Sequence, residues 1–219
     1  MKQDWGDTRL PGWYNEHLKF APQEIAQYLR RLDLRSGDAL LDFGCGNGEL
    51  LRHAAPLVAF AAGVDVSPEQ AALARKAVEG LPNAQIIQAA FLDCELPDRV
   101  FTKGSARKSL HHLTDAEKPL FFRRIGAKFA SGALFQIEDA VFDFPKKELD
   151  AQWPRIQREA AAFYGPRWQG MEKLFESTLR DEFPSDFAAL SAALAEGGFK
   201  VVKREQPACF YAVVLAQKE

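Results

Sequence analysis

The chain reads as an α/β protein: a doubly wound, mostly parallel seven-stranded sheet with an antiparallel last strand and a helical insertion. Three observations predict this. Short apolar runs alternate with stretches of helical period from about residue 39 to residue 141, the pattern of strand–helix crossovers. The first run, Ala39 to Phe43, opens onto glycines at 44, 46 and 48 and then a helix, which is a strand–loop–helix built for close approach of a ligand. The last two runs, 199–204 and 209–215, are joined by too few residues for a crossover, so they must pair antiparallel.

Each element has its own signal. Residues 1–20 hold Trp5, Trp13, Tyr14 and His17 among the turn formers Gly6, Pro11 and Gly12. Ile25, Tyr28, Leu29 and Leu32 predict a helix over 22–34, which Ser36-Gly37-Asp38 ends. Glu49 to Ala55 is a second helix, stopped by Pro56. The apolar run 58–66 is a strand buried on both faces that ends on Asp65; Ser67, Pro68 and Gln70 then give a capping-box start to a helix reaching about residue 79. Third and fourth strands are expected over 85–89 and 99–105, a helix over 114–130 and a fifth strand over 132–141, with Glu138 and Asp139 at its end.

The insertion spans 142–184. Leu149, Trp153, Ile156, Ala160 and Phe163 share a helical stripe that Pro154 is expected to end or kink, and Gly165-Pro166 breaks it. Trp168, Met171, Leu174, Phe175 and Leu179 predict a second helix. Ser185 or Asp186 caps another helix that ends at Gly197-Gly198. No repeat or low-complexity stretch interrupts this order, so one domain over 1–219 is expected, with an N-terminal cap (1–35) and a helical lid (142–184).

The glycine spacing narrows the ligand. A dinucleotide fingerprint needs glycine where Glu49 stands, and a phosphate loop needs a Lys that is missing. Asp42-Phe43-Gly44-Cys45-Gly46-Asn47-Gly48 resembles the first motif of the Rossmann-like (class I) S-adenosylmethionine-dependent methyltransferases, and the whole order of elements resembles those of small-molecule type. The resemblance implies a loop running beneath the methionine part and ribose of S-adenosyl-L-methionine, with Asp42 orienting the loop and the ligand's ammonium group. A carboxylate ending the second strand, Asp65, would take both ribose hydroxyls, and Val66 would pack on adenine. Where the family often carries an acid for the adenine amino group, this chain has Ala89 and Ala90. That contact then falls to the backbone of Phe91 and Leu92, or to Asp93. The expected cofactor set is Asp42, Gly44, Cys45, Gly46, Gly48, Asp65, Val66, Ala90 and Phe91. A small side chain suits the crowded loop at Cys45 better than a nucleophile does.

Leu110-His111-His112-Leu113 resembles a run that follows the fourth strand in the same family. His111 is the candidate general base, against the plainer reading of a residue packing a helix start. His112, Tyr14, Tyr164 and Trp168 are candidates for the acceptor pocket; the aromatic ones serve equally well as lid packing.

Composition bounds the rest. A net charge of -2 gives no electrostatic case for nucleic acid or an anionic membrane. Three scattered cysteines make neither a disulfide framework nor a zinc knuckle, so no metal and a reducing, cytoplasmic setting are expected. The N-terminus has no signal-peptide core, and no apolar run has the length of a membrane span. The function implied is methyl transfer from S-adenosylmethionine to a small-molecule acceptor by a monomer or homodimer. Rivals are a methyltransferase for protein or RNA and a non-catalytic S-adenosylmethionine-binding protein.

Overall fold

The computed structural model describes residues 22–219. Seven strands form the main sheet in the order β3-β2-β1-β4-β5-β8-β7. They are β1 (Ala39–Phe43), β2 (Phe60–Asp65), β3 (Ala84–Gln88), β4 (Phe101–Arg107), β5 (Phe129–Phe142), β7 (Phe199–Ala208) and β8 (Tyr211–Lys218). A two-residue strand, β6 (Ser185–Asp186), pairs with the end of β5. The β1–β2, β1–β4, β2–β3 and β4–β5 ladders are parallel, and β8 lies antiparallel between β5 and β7.

This order puts β1 and β4 side by side at the centre, where the chain reverses direction across the sheet. In an open α/β sheet, ligands bind at the carboxyl ends of strands flanking that point. Every residue of β1 is buried, as a strand covered on both faces must be. One core layer is built on Phe43, Phe101, Phe121, Phe122, Phe135 and Phe199, and Tyr28, Leu32, Leu40 and Leu51 belong to the layer on the other face.

The helices are α1 (Pro22–Leu32), α2 (Glu49–Ala54), α3 (Pro68–Ala77), α4 (Glu117–Gly126), α5 (Leu149–Tyr164), α6 (Trp168–Arg180) and α7 (Phe187–Glu196). Their starts are chemically explicit. Ser67 Oγ accepts the Gln70 N–H at 3.3 Å, and Asp186 caps α7 by accepting the Ala189 N–H at 2.9 Å. At α4 the box is reciprocal: Thr114 Oγ1 accepts from the Glu117 N–H and the Glu117 carboxylate accepts from the Thr114 N–H.

The fourth strand lies two residues later than the sequence placed it, because Arg99 and Val100 are exposed and pairing begins at Phe101. Pro154 does not end its helix: α5 runs through it to Tyr164. Proline so near a helix start removes only one backbone bond, to the carbonyl of Asp150, and Trp153 and Ile156 still hold the stripe against the body. The lid helices bury Phe142, Ile156, Phe175, Leu179 and Phe210 in a third, separate cluster. Tyr14 and residues 1–21 of the expected cap lie outside the described residues.

Candidate functional site

The loop after β1 is shaped by three glycines in the left-handed region: Gly44 at φ 73°, Gly46 at φ 54° and Gly48 at φ 78°. A Cβ at Gly44 would collide with the Ser109 side chain, and one at Gly48 would press on the α3 backbone at Ala74. Gly46 differs, since a Cβ there would meet nothing within 4 Å and would project into open space. The glycines therefore serve close approach on the inside of the loop and leave its outer side open to a ligand.

That open space is a cleft of about 460 Å³, a figure that takes in the solvent at its mouth. Gly44, Gly46, Asp65, Val66 and Phe91 line one side, and Arg107, Lys108, Ser109 and His112 close it from the end of β4. Asp65 anchors the floor. One of its oxygens accepts the Gly46 N–H at 2.8 Å and the other the Ser67 N–H at 3.0 Å, and each keeps acceptor capacity for a further donor. Burial pushes its pKa up, opposed by the Ser67 and Gly46 N–H groups. Beside it Val66 is 51% exposed, an apolar side chain turned outward where the cleft opens.

Other predicted residues fall elsewhere. Asp42 does not line the cleft: it is buried beneath it, near Ser105, and burial raises its pKa to about 7. Cys45 turns its thiol into the core against Gly63, and burial raises its pKa well above the thiol range, which leaves only its backbone to the loop surface. Ala90 is exposed but does not line the cleft, whereas Phe91 does, braced edge-on by Phe43 at 5.5 Å. Tyr164 and Trp168 stack on one another at 6.1 Å and pack around Phe175 in the lid cluster, so the lid-packing reading describes where they sit.

The histidine pair divides. His112 lines the cleft, while His111 is buried behind it, its Nδ1 held by Asp139 Oδ1 at 2.5 Å. Burial works against the charged form of His111, but the Asp139 carboxylate outweighs it and raises the pKa; burial and the neighbouring His111 lower that of His112. Asp139 is itself fixed by the backbone N–H groups of Ser109, Leu110, His111 and Ala140.

Sequence reasoning missed Arg107, Lys108, Gln70 and Glu182. Lys108 has a positive φ of 51°, rare for a side chain with Cβ, and lines the cleft. Burial and then the charge of Arg107 press its pKa down to about 7. The signal available beforehand was the polar character of the fourth strand's end. Glu182 reaches the histidines because Phe183, next to it, donates its N–H to the His111 carbonyl at 2.9 Å while Lys118 Nζ reaches the Phe183 carbonyl.

These residues fit an adenosyl ligand: glycines leave its approach free, a carboxylate with spare lone pairs stands at the end of β2, and an apolar shelf adjoins it. Comparison with known proteins agrees. Residues 40–132 match a family model described as a methyltransferase domain. The chain is 29% identical over 123 residues to 27-O-demethylrifamycin SV methyltransferase of Amycolatopsis mediterranei, covering 52% of this chain and 45% of that protein. It is 28% identical over 175 residues to an uncharacterized methyltransferase of Geobacillus thermodenitrificans, covering 80% and 74%. The first two curated relatives are matched over less than half of their length, 45% and 36%. Among solved structures, magnesium protoporphyrin IX methyltransferase of Synechocystis, with S-adenosylhomocysteine bound, superposes with a TM-score of 0.66 at 14% identity, over 98% of this chain and 96% of that one. An S-adenosylmethionine-dependent methyltransferase of Mesorhizobium loti gives 0.64 at 18% identity, over 88% and 96%. Residues 40–132 are thus similar to a methyltransferase domain, and the loop and sheet order are those of the Rossmann-like fold of the S-adenosylmethionine-dependent methyltransferases that the chain resembles.

Proposed function

We propose that this protein transfers the methyl group of S-adenosylmethionine to a small-molecule acceptor. The observation that carries the reading is Asp65, set in the cleft below three positive-φ glycines and beside the exposed Val66. When bound, the cofactor supplies a methyl group on a sulfonium that is already a good leaving group. The chain's task is then to orient the two reactants and keep water out. Gly44 and Gly46 leave room for the ligand at the loop, Asp65 accepts from the ribose, and Val66 and Phe91 cover the base.

The acceptor side is formed by Lys108, Ser109 and His112 at the end of β4. Lys108, whose pKa of about 7 lets it exist neutral, is placed to take a proton from an acceptor, and His112 lines the same wall. A net charge of -2 favours a small acceptor over RNA. A reading without methyl transfer keeps one point of support: a [4+2]-cyclase, SpnF, also shares this fold, with a TM-score of 0.65.

Calorimetric titration with S-adenosylmethionine and S-adenosylhomocysteine tests the reading. Asp65→Ala is expected to weaken both by roughly 2–3 kcal/mol, the scale of hydrogen bonds to a charged group. Asp65→Asn separates lost charge from lost loop geometry. Absence of binding to the folded wild-type chain sinks the proposal.

A further inference from the structure

We propose that His111, His112 and Glu182 form a binding site for one divalent transition-metal cation, zinc in preference to magnesium, at the inner wall of the cleft. One ligand atom from each residue lies within 4.8 Å of the other two. His111 Nε2 stands 3.4 Å from Glu182 Oε2, and His112 Nδ1 stands 2.7 Å from the same oxygen. Bonds of about 2.0–2.1 Å in a tetrahedron hold ligand atoms roughly 3.4 Å apart. The first pair already has that separation, and the second reaches it by opening about 0.7 Å.

Glu182 supplies an independent pointer. Its side chain is 1% exposed, yet neither oxygen accepts a hydrogen bond of ordinary geometry. Apart from the two imidazoles nothing among the described residues offsets the desolvation of this buried carboxylate, and a cation between it and them removes that cost. The ammonium of Lys118 is engaged by the Leu113 and Phe183 carbonyls instead.

The surroundings also suit a metal. A metal-bound histidine commonly donates its other N–H to a carboxylate, which fixes the ring and leaves the ligating nitrogen unprotonated. Asp139 does this for His111 Nδ1 and turns Nε2 toward Glu182. Two imidazoles and one carboxylate match zinc and its transition-metal neighbours, whereas magnesium and calcium favour oxygen. Three protein ligands leave a position open, and His112, the most exposed of the three at 24%, is the one that lines the cleft. What the ion does there rests on the methyl-transfer reading: it holds an oxygen or nitrogen of the acceptor. Its binding does not depend on that reading.

The test uses the full chain, stripped with a chelator and titrated without cofactor with zinc chloride by calorimetry, then with cobalt(II) by visible absorption. One equivalent should bind, and cobalt should give d–d bands of a four- or five-coordinate site. Glu182→Gln and His112→Ala should each weaken zinc at least tenfold, and Asp139→Asn by 10- to 100-fold, the range for loss of such an orienting partner. No saturable binding by the folded wild-type chain, or full-strength binding by both ligand variants, overturns the proposal. Should a variant not fold, the cobalt form of the wild type decides: a paramagnetically shifted imidazole N–H proton is expected, and its absence counts against the site. Because no cofactor is present, failure here is separate from failure of S-adenosylmethionine to bind.

Discussion

Gly44 and Asp42 carry distinct constraints at the residue scale. Gly44→Ala must place an L residue at φ 73° and drive its Cβ into Ser109, whose hydroxyl donates to the Phe43 carbonyl at 2.9 Å. A left-handed alanine alone costs about 1–2 kcal/mol, so a loss of ~2 kcal/mol or more in unfolding free energy is expected, together with loss of cofactor binding. Urea unfolding and calorimetry measure the two effects, and wild-type values in both refute the steric account. Asp42 is a carboxyl whose folded pKa of about 7 exceeds its usual value of 3.8. The folded state therefore binds the proton more tightly, and stability falls as pH rises from about 4 to about 7. A shift of that size corresponds to at most about 4 kcal/mol. Asp42→Asn should flatten this part of the stability–pH curve, and denaturant midpoints at pH 5 and pH 8 test it. An equal drop in the variant assigns the dependence to other groups.

The lid and the cleft separate at the scale of elements. Phe175 on α6 packs against Trp168, Tyr164 and Phe210 at 5.1, 5.9 and 4.8 Å, in a cluster distinct from the two that flank the sheet. Phe175→Ala should cost about 3 kcal/mol of stability, as large-to-small changes in aromatic cores do, and leave S-adenosylmethionine affinity within about threefold. A tenfold weaker affinity would mean that α5 and α6 brace the cofactor site. Elements with a local code were legible beforehand. The glycine loop, the Ser67 cap and the terminal hairpin each depend on residues a few positions apart. Pro154 left two outcomes open, an end or a kink, because its effect depends on distance from the helix start, and that start was not marked by a capping residue. Tyr164 and Trp168 were ambiguous because an aromatic stripe has the same spacing whether it faces a partner helix or a ligand. Glu182 was invisible for a different reason: backbone bonds at Phe183 and His111 bring it to the histidines, and no periodicity encodes them.

The cleft joins the ends of otherwise independent stretches at the scale of the whole molecule. Its wall takes residues from the β1 loop, the end of β2, the segment after β3 and the end of β4, the four adjacent strands on the β3 side of the sheet. A ligand held there binds only when those four ends are assembled, so its binding energy adds to the stability of the entire sheet. At a cofactor concentration of 100 times Kd the gain is about 2.7 kcal/mol. For a chain of this size each kcal/mol raises Tm by roughly 2–4 °C, so an upward shift of about 5–10 °C is expected. Phe175→Ala should begin from a lower Tm and show the same shift, because its defect lies in the lid. Asp65→Ala should begin below the wild-type Tm, because the Gly46 and Ser67 N–H groups lose their acceptor, and lose most of the shift at the same cofactor concentration. Thermal scans of the three proteins with and without S-adenosylmethionine form one experiment in which stability and binding move independently. A shift that follows starting stability rather than the Asp65 carboxylate would place the cofactor outside the cleft at the ends of β1, β2 and β4.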